Sequence, residues 1–150
     1  MVLVLAQFEP KAGISERLMD WKQIALAVAV AAIAGSFTDW FFTGVLFHDR
    51  YQEYPEIWRK RSSEAETITW SMILGILTSA AFVAAYCAFN LHGTGSAMAL
   101  AGICWIMAPL PLTIMNSLYI KIHPLVATAH SLGWLAKLAV AAIAAGLLIK

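Results

Sequence analysis

Three ionisable side chains interrupt long apolar stretches of this sequence: Asp39, His130 and Lys137. A charge within a membrane span is costly and usually marks either a functional site or a paired partner. A carboxylic acid, an imidazole and an amine held together can exchange protons, so the three are expected as the catalytic set of a general acid/base site or as steps of a proton relay. The competing expectation is an Asp39–Lys137 ion pair that only fixes helix register. For His130 by itself, a satisfied interior histidine is the commoner role.

Helical spacing groups these residues with other polar ones. Ser36, Asp39 and Thr43 fall at i, i+3 and i+7, and Pro109, Thr113 and Asn116 at i, i+4 and i+7, as do His130, Trp134 and Lys137. Turning the three stripes inward predicts a polar pocket that opens on the side of the longest loop, with a weaker contribution from Ser71, Gly75 and Thr78. Counted from that side, Asp39 lies about 13 Å deep, Lys137 about 19 Å and His130 about 9 Å. Trp40 and Trp134 border the charges and can line an apolar ligand or stack on a cation. Asn116 can orient a ligand, although bridging helices is its commoner use. The expected ligand-binding set is Trp40, Thr43, His48, Asn116 and Trp134.

At the mouth of this pocket stands His48-Asp49-Arg50, followed by Tyr51 and Glu53. Such a group can bind a metal or move a proton, but helix-end chemistry explains it more simply. HExxH and CxxC spacings are absent, so no metal is expected. Gly93-Thr94-Gly95 lacks the lysine and the strand context of a phosphate-binding loop. No motif names a cofactor.

The elements that position these residues follow from composition. Hydrophobic residues make up 61% of the 150 and charged ones 13%, against about 25% charged in a soluble domain. A soluble fold of this size would expose large apolar patches. Four stretches, 23–47, 68–91, 96–120 and 125–149, are long enough to cross about 30 Å of hydrocarbon as helices. They are continuous and alanine-rich, which excludes the alternation of a β-barrel. The fold class is therefore all-α, a single transmembrane domain over residues 1–150 built as a four-helix bundle in a lipid bilayer.

His92-Gly93-Thr94-Gly95 and Lys121-Ile122-His123-Pro124 are short enough to make tight hairpins, with Pro124 in the first turn of the last helix. The charged loop 48–67 carries Tyr51, Tyr54 and Trp58 and is expected to hold a short interfacial helix. Ile14, Leu18 and Trp21 suggest a surface helix leading into the first span. Met1 to Leu5 is too short for a signal-peptide core and is expected to be retained. Arg50, Arg59, Lys60, Arg61 and Lys121 on one side, against Lys11, Arg17, Lys22 and Lys150 on the other, lean toward both termini outside.

Ala27, Ala31 and Gly35, Ala141 with Ala145, and Ala142 with Gly146 form small-residue ladders that permit close helix approach. An alanine-rich bundle is the favoured reading of them over a homo-oligomer interface. Pro109 and Pro111 should kink the third span. No inverted repeat is evident. Cys87 and Cys104 sit in apolar runs and read as small hydrophobes rather than as a disulfide. A net charge of +1 without a long basic block gives no sign of a nucleic-acid partner.

The stretch Trp40-Phe41-Phe42-Thr43-Gly44-Val45-Leu46-Phe47, the segment Asn116-Ser117-Leu118-Tyr119 and the Gly133-containing last span carry a resemblance. The chain resembles small four-span bacterial membrane proteins grouped as a domain of unknown function. It departs from them in its long charged first loop and in Lys137. The resemblance implies the topology and a bacterial inner membrane, and it transfers no catalytic residue. Three functions remain open: an intramembrane pocket that binds or converts a hydrophobic small molecule, a proton- or solute-conducting oligomer, and a structural membrane subunit with a buried ion pair.

Overall fold

The computed structural model describes residues 21–49 and 64–149, and all the long elements among them are helices. Helix α1 spans Trp21–Trp40 and runs into a π-helical stretch, Phe41–Leu46; α2 spans Glu64–Ala88, α3 Gly93–Met107, α4 Pro109–Tyr119 and α5 Pro124–Leu148. With α3 and α4 taken together, four apolar helical rods are long enough to cross a membrane. Ile33, Phe37, Met107 and Leu118 are each well over half exposed. So many large apolar side chains on the outside are stable only against lipid, and the protein is a four-span integral membrane protein.

Each boundary has a local cause. α2 ends in a Schellman motif, in which the Leu91 amide donates to the Tyr86 carbonyl (3.1 Å) and the Asn90 amide to that of Cys87 (2.9 Å). Asn90 supplies the left-handed residue, with φ of 53°. α5 starts at Pro124, and the Leu125 amide donates to His123 Nδ1 at 3.1 Å, so the histidine caps the helix. The third span, expected over 96–120 with a kink at Pro109 and Pro111, is two helices. Ala108, at φ −135° and ψ −64°, divides them, because a residue that precedes proline is pushed out of the helical region. The span ends shift by one to three residues from the sequence reading.

α5 is the hub. It packs against α1, α2, α3 and α4, while α2 also lies against α1. The core is built largely from alanine: Ala27 and Ala31 on α1, Ala97 and Ala101 on α3, and Ala141, Ala142 and Ala145 on α5 are all buried. The small-residue ladders are thus used inside the chain. At the tightest point, a Cβ added to Gly146 would stand 2.5 Å from the Thr94 Cα, so only glycine lets α5 pass the start of α3. The surface helix expected around Ile14 and Leu18, the segment Met1 to Leu5, and the aromatic segment with Arg50, Tyr51 and Glu53 lie outside the described residues.

Candidate functional site

Lys137 lies near the middle of α5 and is almost wholly buried, whereas Asp39 sits about seven residues from the loop end of its own rod. Side chains on a helix lean toward its N-terminus. On α5 that direction is toward the long-loop side, and on the antiparallel α1 it is away from it. The lysine stem and the carboxylate therefore lean toward each other and close the difference in depth. Lys137 Nζ forms an ion pair with Asp39 Oδ2.

Gly35, one turn before Asp39, provides the trough for this reach. A Cβ there would meet the Lys137 Cγ at 3.1 Å, so the lysine stem rests directly on the backbone of α1. The ring of Trp134 lies 5.0 Å from Nζ and adds a cation–π contact. The Thr43 hydroxyl donates to the Asp39 carbonyl at 2.8 Å, and Asp39 precedes the π-helical stretch by two residues. Wider π turns recur at functional sites in helices. The pair is sealed unevenly: the Lys137 side chain is 9% exposed and that of Asp39 40%.

His130 lies two turns before Lys137 on α5 and is exposed. Gly133 between them admits Phe42, whose Cβ would be 3.7 Å from an added methyl. Asp39 and Lys137 are thus brought to one α1–α5 interface, while His130 is exposed. Thr43 reaches it through the Asp39 backbone, and Trp134 through the lysine.

The remaining candidates are placed elsewhere. Trp40 is exposed and packs along its own helix, 5.3 Å from the Phe37 ring and against Gly44. His48 lies in an exposed turn just after the π-helical stretch. Asn116 is half-buried near the end of α4, where its carbonyl accepts from Ile120.

The α4 stripe meets a different part of α5. Thr113 donates to the Pro109 and Leu110 carbonyls, both at 2.9 Å. It borders two grooves. One, of about 310 Å³, is lined by Cys104, Met107, Pro109, Thr113, Trp134 and Leu138. The other, of about 370 Å³, lies between α4 and the first half of α5. Trp134 is the link, touching both the lysine and the smaller groove. The single polar pocket expected from three converging stripes is thus a charged α1–α5 interface with grooves on the α4 side of α5.

Among the described residues no group of three His, Cys, Asp or Glu side chains is placed to hold a metal. Sequence reasoning missed the π-helical stretch and the Gly35 trough. The regular small-residue spacing marked Gly35 as a packing position but not as the seat of a lysine.

Comparison with known protein families, with curated proteins and with solved structures finds no match to this chain. Of the expected resemblance to four-span bacterial membrane proteins, the four apolar helices are found and no family match is.

Proposed function

We propose that this protein binds a lipid-soluble small molecule whose polar head donates a hydrogen bond to the Asp39 carboxylate. The observation that carries this reading is the uneven seal of the ion pair. Lys137 is enclosed, while two fifths of the Asp39 side chain stays open. A pair built only to fix register is best closed on both sides, since an acceptor left facing lipid loses hydrogen bonding. Lys137 balances the charge of the carboxylate, so the complementary head is neutral, such as a hydroxyl. In this reading His130, two turns before Lys137 on α5, is the group that exchanges a proton with such a head, which extends it from binding to acid/base conversion.

The test is a titration of the purified protein in nanodiscs with a dibrominated octadecanol, read by quenching of tryptophan fluorescence, with Trp134→Phe locating the signal. Hydrogen bonds to charged groups contribute about 1.5–3 kcal/mol. Asp39→Asn should therefore raise the half-saturating concentration about tenfold or more, while the matching dibromoalkane quenches both proteins alike. Equal affinity of wild type and Asp39→Asn for the alcohol would sink the reading.

A further inference from the structure

Two contacts fix how α1 is turned in the bundle. A Cβ on Gly35 would meet the Lys137 stem of α5, and a Cβ on Gly75 of α2 would stand 3.7 Å from the Ser36 hydroxyl. Gly35 therefore faces α5, and Ser36 faces α2. At about 3.6 residues per turn, Asp39 lies about 40° from the direction of Gly35 and about 60° from that of Ser36. Its carboxylate points between the two neighbours. One edge meets Lys137, and the edge left open is on the α2 side.

On that side α2 stands away from the bundle. Ser79, Phe82, Val83 and Tyr86, beyond Gly75, are buried, whereas every residue from 65 to 74 is exposed. Over the same length the α1 rod holds to α5: its π-helical stretch packs against α5 and not against α2. Because α1 and α2 are antiparallel, Asp39 stands about 4.5 Å and Ser71 about 6 Å beyond the Ser36–Gly75 contact in the same direction. Ser71, one turn before Gly75, is on the face that α2 turns to α1. The gap is a wedge floored by the Ser36–Gly75 contact, with Asp39 and Thr43 on one wall and Ser71 on the other.

The hydroxyls of this wedge have committed their protons. Ser71 donates to the Thr67 carbonyl at 2.9 Å, Ser36 to that of Ala32 at 2.9 Å, and Thr43 to that of Asp39 at 2.8 Å. Each still offers an oxygen lone pair, as does the open edge of the carboxylate. A ligand with one hydroxyl leaves one wall unused, whereas a ligand with two engages both.

We infer that the ligand of Asp39 is a lipid-soluble diol seated between α1 and the first half of α2, with one hydroxyl on the Asp39 carboxylate and the other on the Ser71 oxygen. This rests on Asp39 as the seat of a donor head, and it adds Ser71 as the residue that selects two donors over one. Ile68 and Met72, which flank Ser71 on the same face and are both more than half exposed, take the apolar chain.

The full-length protein in nanodiscs is titrated with dibrominated octadecane-1,2-diol and with the matching octadecan-1-ol, read by saturable quenching of tryptophan fluorescence. The ratio of the two half-saturating concentrations is compared between proteins, which cancels the different partitioning of the probes into lipid. Ser71→Ala should cut the preference for the diol about fivefold, the size expected for one net hydrogen bond. Ser71→Thr, which keeps a hydroxyl, should retain it. Ser71→Phe, which fills the wedge, should abolish saturable quenching by both probes. An unchanged preference in Ser71→Ala, its loss in Ser71→Thr, or undiminished binding in Ser71→Phe would each overturn the diol assignment. Binding of the alcohol that still depends on Asp39 would then leave the single-hydroxyl reading standing, whereas alcohol binding indifferent to Asp39→Asn would sink both.

Discussion

At the scale of single residues, the chemistry rests on how Lys137 and Asp39 are held. Breaking a buried pair leaves one charge without its partner, whereas removing both charges leaves none. Lys137→Met alone and Asp39→Leu alone should each lower stability by about 2–4 kcal/mol, and the double replacement by clearly less than their sum. Unfolding titrations in mixed micelles measure this directly; simple additivity would mean that the two charges do not stabilise each other. The pair was one of two readings the sequence left open, because an aspartate and a lysine within alanine-rich spans have few affordable states. The Gly35 trough was not legible as such. Its role depends on α1 and α5 meeting with the lysine stem between them, and that register is a property of two helices at once.

At the scale of elements, helix ends and close contacts follow local rules. Pro124 and Pro109 with Pro111 announced a helix start and a broken span, and both are found; the short linker near 92–95 makes the expected turn, but α2 and α3 do not pack against each other as a tight hairpin. The Asn90 cap and the His123 cap were not anticipated, because neither residue type is diagnostic without the backbone around it. The π-helical stretch was missed because Phe41–Leu46 is as apolar and regular as the rest of its span. The closest helix contact makes the sharpest prediction at this scale. At Gly146 an added methyl meets backbone atoms of Thr94 and Gly93, at 2.5 to 2.9 Å, and backbone cannot rotate aside. Gly146→Ala should cost about 2–3 kcal/mol, as overpacking of a tight interface does. Gly102→Ala, with open space around it, should cost nothing or stabilise the helix slightly. Thermal unfolding of the two variants side by side checks the contrast, and equal behaviour would mean that α5 and α3 are not in close contact there.

At the scale of the whole molecule, four spans were readable from hydropathy alone, since lipid permits so few backbone solutions. The arrangement around α5 was not. Polar stripes on three helices were expected to share one interior, yet the α1 stripe meets the charges of α5, while Thr113 on α4 faces grooves on the other flank. Periodicity tells which residues share a face and leaves open which helix that face will meet. The result is a bundle whose terminal half is sealed by alanine and glycine and whose long-loop half holds a mid-membrane charge pair that is partly open. The central claim is that this opening holds a lipid-soluble molecule. Native mass spectrometry of the full-length protein released from membranes tests it most directly. Wild type should carry a small-molecule adduct that Asp39→Asn loses while keeping the same charge-state envelope as a folded protein. An identical adduct pattern in the two proteins, or none in either, would contradict the account.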